Sequence, residues 1–176
     1  RMMDRRFFIG GAATAIIWGV ARAQDSEFRG DDGKPAPTWR LPSEISLDLP
    51  GLIANVGGDS ALAGKICEHL VHLVATVSPG AKKGSTAPYA RAQTMLIEAG
   101  RAQPRTLADA FRKPCEARIE DADATLADHL ARFDAAYGVK ERRRFLSVVG
   151  TELPSATRTD LDGLAAFARE SAESAR

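Results

Sequence analysis

Glu68, His69 and His72 are the residues whose types and spacing come nearest to a ligand set. Four residues apart, Glu68 and His72 share a helix face, with His69 rotated beside them. Two imidazoles and a carboxylate suit zinc, nickel or copper. A tetrahedral site needs another donor, for which the remaining histidine, His129, is the candidate. The alternative is a solvated polar face, or one that contacts a partner. The two cysteines, Cys67 and Cys115, fall on apolar helix faces. In an exported protein they can be joined, closing a loop worth roughly 4 kcal/mol in the chain-entropy model. Otherwise they are small buried hydrophobes. Without a Cys-x-x-Cys pair, redox chemistry is not expected. Glu116, Glu120, Asp121, Asp123 and Asp128 line one helical face, which reads as solvation. Acid–base catalysis needs two carboxylates in different environments. No Ser-His-Asp order, phosphate-cradling glycine loop or His-Glu-x-x-His is present. Arg142, Arg143 and Arg144 could meet phosphate headgroups, or form the charged face of a short helix. No catalytic residue and no cofactor is therefore expected.

The elements that must position these residues read as helices. From Asp59 to Val77, Leu62, Ile66, Leu70, Leu73 and Val77 repeat every three or four residues, with Asp59 or Ser60 as N-cap and Ser78-Pro79-Gly80 as stop. Tyr89–Gly100 reads as a second helix. Thr106–Asp109 fits a capping box that starts a short one. Pro114–Tyr137 is the longest, with Ala122, Leu126, Leu130 and Phe133 along one side. Lys140–Val149 and a segment capped at Thr159–Asp162 complete the series. Few aromatics and abundant alanine favour helix over sheet. The expected fold is all-α, a small bundle of about five or six helices held by stripe-on-stripe packing.

The chain has 176 residues, with 24 Lys and Arg against 23 Asp and Glu, a net charge of +1. That balance gives no electrostatic footprint for nucleic acid, so no such partner is expected. The first 23 residues have the parts of a signal peptide. Arg5 and Arg6 precede Phe7, Phe8 and an apolar run, and Ala21 and Ala23 supply the small residues of a cleavage site. Arg-Arg-Phe-Phe-Ile resembles the twin-arginine export pattern, with Asp4 where Ser or Thr is usual. The uncharged run would span about 21 Å as a helix at roughly 1.5 Å per residue, short of a bilayer core of about 30 Å. The expected organisation is a signal or anchor helix over 1–23, a Pro- and Gly-rich tether over 24–50 and a helical domain over 51–176.

Residues 52–70, from Leu52 through Gly57, Leu62 and Ile66 to Leu70, resemble the leading helix of the small subunits of membrane-bound, FAD-dependent sugar and alcohol dehydrogenases. Those subunits also carry a twin-arginine signal. The resemblance implies a non-catalytic partner that escorts a flavin subunit out of the cytoplasm. The expected function is thus an exported accessory or assembly subunit of a periplasmic or membrane-associated oxidoreductase complex. It would bind a larger subunit of an envelope complex, and the membrane through its first helix if that is not cleaved. The alternative is a periplasmic, metal-responsive helical sensor or chaperone built on Glu68, His69 and His72.

Overall fold

The structure, a computed structural model, describes residues 14–21, 42–77, 91–112 and 119–175. The elements follow the order β1 (Thr14–Ala21), β2 (Pro42–Asp48), α1 (Leu49–Asn55), α2 (Ser60–Thr76), β3 (Ala92–Gly100), a 3-10 turn (Ala108–Phe111), α3 (Ile119–Tyr137), β4 (Arg142–Ser147), β5 (Thr157–Arg158) and α4 (Leu161–Glu173). The described strands form one sheet in the order β2-β1-β3-β4-β5, antiparallel except for the β4–β5 pair. The fold is α/β, which corrects the expected all-α bundle.

Sheet burial explains the correction. Residues 94–99 of β3 are buried on both faces, so the strand shows a continuous inward run rather than an alternation. Such a run in a segment rich in Ala, Gln, Met and Glu reads as helix from propensity alone, and tertiary context overrides it. Met95, Ile97 and Ala99 meet Cys67 and Val71 of α2 and Leu164 and Ala168 of α4 in one core. On the opposite face Leu96 and Phe145 join Leu107, Leu126, Leu130 and Leu153 in a second. Helices thus cover both faces of the sheet. In β4 the alternation sends Arg143, Phe145 and Ser147 inward, so the expected helix over Lys140–Val149 is a strand.

The N-terminal expectation fails for a related reason. Thr14–Ala21 is an inner strand, paired to β2 and to β3, with Ile17 opposite both Ile45 and Ile97. A short apolar run fits an inner strand as well as a signal helix. Part of the expected tether, Pro42–Asp48, is the neighbouring edge strand. Arg5, Arg6, Phe7, Phe8 and Ala23 lie outside the described residues, whereas Ala21 closes β1. Among the described residues no helix is long and apolar enough to cross a membrane.

Local signals fared better. Asp59 caps α2, its carboxylate accepting from the Leu62 N–H at 2.9 Å, and Asp160 caps α4 by accepting from the Gly163 N–H at 2.8 Å. The buried side of α2, however, is the small-residue row Ala63, Gly64, Cys67, Val71 and Ala75. Leu62, Ile66, Leu73 and Val77, expected in the core, are exposed. Small residues let α2 and α4 approach closely: a Cβ on Gly64 would come within 2.8 Å of Glu173 Cγ.

Because β1 is internal, its backbone should be indispensable. Ile17→Pro removes a ladder hydrogen bond and should cost about 3 kcal/mol or more. Deletion of residues 1–23 should abolish cooperative thermal unfolding followed by far-UV circular dichroism. A truncated chain that still melts sharply would contradict this topology.

Candidate functional site

Three polar groupings lie on this framework. The first is buried between the sheet and α3. Glu98 of β3 and Asp134 of α3 share two arginines, Arg105 from the loop after β3 and Arg143 of β4. Arg143 donates from Nε to Glu98 at 2.6 Å and from Nη2 to Asp134 at 2.7 Å, with a second Nη1 bond to Asp134. Arg105 forms a two-pronged pair with Glu98, one arm at 2.8 Å, and its guanidinium lies 4.9 Å over the Phe133 ring. Burial by itself would lower the Arg143 pKa. The hydrogen bonds and negative charges of Asp134 and Glu98 offset that and hold it above its ordinary value. Two cations against two carboxylates leave the group neutral.

The second grouping surrounds Asp123, expected on a solvated face and found buried. Its Oδ2 accepts from the Thr94 hydroxyl at 2.9 Å and from the Ser147 hydroxyl at 3.1 Å. Oδ1 is buried without a hydrogen-bond partner among the described residues. Desolvation pushes the Asp123 pKa up, against the hydrogen bonds of Thr94, Ser147 and Thr151, and the charge of Glu120 adds to the rise.

The third is an open cleft of about 390 Å³ where β3 ends and β4 begins, beside the last turn of α4. Arg101, Lys140, Arg142, Glu141, Ser171 and Ser174 supply its polar lining. Glu141 lies flat over Gly100, where a Cβ would fall 1.1 Å from its Oε2, and accepts from the Ala102 N–H at 2.8 Å. Arg142 donates to Ser171 Oγ at 3.3 Å and sits 5.3 Å from the Phe167 ring centroid.

The residues singled out from the sequence do not converge. Glu68 accepts from Arg169 of α4 at 3.3 Å. His69 is exposed and His72 half-buried on α2, whereas His129 is on α3, across the sheet. No group of three or more possible metal ligands occurs among the described residues. Cys67 is a free, buried thiol whose pKa is raised by desolvation, and Cys115 lies outside the described residues. Of Arg142, Arg143 and Arg144, the strand sends only the middle one to the α3 side; the other two stack over Phe167 of α4.

Comparison with known proteins decides the family. The model of the CT1975-like protein family, Cas_CT1975, matches residues 44–170. The chain belongs to that family. No curated protein matches it. Among solved structures, this CT1975-like chain resembles one named "CRISPR RNA-guided surveillance complex, pre-nicking", with 17% identity and a TM-score of 0.61, over 91% of this chain and 51% of that one. A "CRISPR RNA-guided surveillance complex" matches at 18% identity and a TM-score of 0.57, over 73% of this chain and 39% of that one. Such identities show a shared fold. The chain spans about half the length of the first of these, or less for the second.

Family membership overturns the likeness to a dehydrogenase small subunit, which rested on a glycine turn before an amphipathic helix, a pattern common to many folds. The accessory role in a periplasmic oxidoreductase complex, the sensor or chaperone alternative and the periplasmic location fall with it. Nor does net charge exclude nucleic acid, because a sum over the chain hides the local excess of cations in the cleft.

Two measurements test the buried groups. Arg143→Met leaves Glu98 and Asp134 short of a partner and should cost about 3–5 kcal/mol in urea unfolding. Pairing it with Glu98→Gln should cost less than the two changes summed. Asp123 holds its proton more tightly in the folded chain. Its contribution to stability is fully present below the ordinary value of 3.8 and is lost as pH rises through the folded value. Asp123→Asn should therefore flatten the fall in melting temperature between about pH 4 and 8. An unchanged profile would reassign that fall to other groups.

Proposed function

We propose that this chain is a subunit of a CRISPR RNA-guided surveillance complex, with other protein subunits and a guide RNA as its partners. The family match over residues 44–170 carries this reading. The shared fold with chains of two such complexes supports it.

We further propose a binding role rather than a catalytic one. Its buried carboxylates are engaged in holding the fold: Glu98 and Asp134 bind arginines, and Asp123 binds hydroxyls. The exposed row Leu62, Ile66, Leu73 and Val77 on α2 supports a protein partner, since apolar surface of that kind is normally covered. Cations without a carboxylate partner support a polyanionic one.

Affinity purification of the full-length chain from its own cells, followed by size-exclusion chromatography, tests the proposal. The expected result is elution in a multi-protein assembly that carries a small RNA sensitive to ribonuclease. Elution as a lone polypeptide free of RNA would overturn it.

A further inference from the structure

Helix α2 carries two apolar faces. Its small residues Ala63, Gly64, Cys67, Val71 and Ala75 turn inward, toward the sheet and α4. On the other side Leu62, Ile66, Leu73 and Val77 are exposed, Leu73 at 55% and Val77 at 63%. A surface helix needs one apolar face, whereas a helix apolar all round is normally a buried one. Among the described residues, only the small-residue face of α2 is covered.

The outer residues are spaced as a seam. Leu62, Ile66, His69, Leu73 and Thr76 are all exposed and follow one another at intervals of four, three, four and three residues. That alternation lets one helix pack along another, knobs into holes, and neither a strand nor a loop requires it of its neighbour. Ile66 and Leu73 hold one core position of the heptad, and Leu62, His69 and Thr76 hold the other. The Thr76 hydroxyl donates to His72 O at 2.7 Å, so His69 is the polar break in the seam. Because α2 is already ordered by its buried face, pairing costs only the ordering of the incoming helix.

Charges beside the seam narrow the choice of partner. In this register Lys65 and His72 flank it on one side, and Ala63, Leu70 and Val77 on the other. Neither flank holds a carboxylate: Glu68 lies off the seam and pairs with Arg169 at 3.3 Å, and Asp59 is engaged as the cap of α2. Flanking charges decide partner and orientation in such pairs. A second copy of α2 fits badly. Antiparallel, it sets Lys65 and His72 against themselves; parallel, it sets them against Leu70 and Val77. A helix with Asp or Glu beside its apolar seam answers the flank and gives the His69 ring N–H an acceptor.

We infer that the outer face of α2 binds an acidic amphipathic helix of a different polypeptide. Ile66 and Leu73 are its central apolar contacts, Lys65 and His72 its flanking donors, and His69 the polar element that fixes the register. The inference rests on the reading of this chain as one subunit among several, and gives one of its protein contacts a place and a chemistry.

The test is photo-crosslinking from benzoylphenylalanine in place of Val77, in the full-length chain expressed in its own cells. Mass spectrometry of the cross-linked peptide should identify a segment of another polypeptide whose heptad seam is flanked by Asp or Glu. Lys65→Glu should lower the yield of that adduct about threefold, since a favourable charge contact becomes a repulsion. Leu73→Ser should abolish the adduct while the purified chain keeps its melting temperature, because Leu73 is exposed. An adduct with a second copy of this chain, with RNA or with lipid, or no adduct, would overturn the acidic-helix assignment. Co-elution with other proteins and RNA would then leave the subunit reading standing. A fall in the melting temperature of Leu73→Ser as large as that of a core substitution would also overturn the assignment, by showing that the chain covers this row itself. Elution as a lone polypeptide free of RNA, with no adduct, would overturn both.

Discussion

Four parts of this molecule are held in register by one buried exchange of charge, that of Glu98 and Asp134 with Arg105 and Arg143. It joins β3, the loop that follows, α3 and β4. Burial of four charges is expensive, and mutual attraction repays it only when geometry is good and few donors are left over. Arg143 meets that condition with three bonds. The arginine pairing alone does not fix the register, since a slip of β4 by one residue would bring Arg142 or Arg144 to the place of Arg143. The same slip turns Phe145 out of its core and Ser147 away from Asp123, so pairing and packing set the register together.

That constraint extends to the neighbouring elements. With β3 and β4 aligned, Thr94 and Ser147 stand opposite each other and both reach Asp123 on α3. On β2, Glu44 accepts from the Thr106 hydroxyl at 2.6 Å and from the Ala108 N–H at 2.9 Å, holding the 3-10 turn against the sheet. The capping box expected at Thr106–Asp109 does not form: the N-cap position of the turn is Leu107, which makes no side-chain cap, Thr106 Oγ1 accepts from the Ala108 N–H at 3.1 Å, and Asp109 pairs with Arg112.

What could be read from the sequence was local. The Asp59 cap, a cap within Thr159–Asp162 (which proves to be Asp160) and the existence of α2, α3 and α4 depend on residues within a few positions of one another, and those expectations stand. Strands β1, β3 and β4 depend on partners far along the chain, and each was misread. Phe7 to Val20 read as the apolar run of an export signal, whereas Thr14–Ala21 is an inner strand of the sheet, since a short apolar run fits either. The stripe on α2 was right for Leu70, Cys67, Val71 and Val74, which meet the core, but Leu62, Ile66, Leu73 and Val77 stay outside because small residues made the tighter contact with α4. Asp123 was assigned to solvent by helical phase, with no signal that two strand hydroxyls would meet it.

The candidate site was half visible for the same reason. Arg142, Arg143 and Arg144 invited a phosphate reading as the charged side of a short helix. A strand separates them, and the separation divides their tasks: Arg143 is consumed by the fold, whereas Arg142 turns to the cleft. Arg101 and Lys140 gave no sign, since they stand 39 residues apart and are joined only by the antiparallel pairing of β3 with β4. Pairing therefore separates cations that build this molecule from cations left to meet something else. Net charge cannot do so, because a buried neutral quartet and an open basic cleft add to the same small sum.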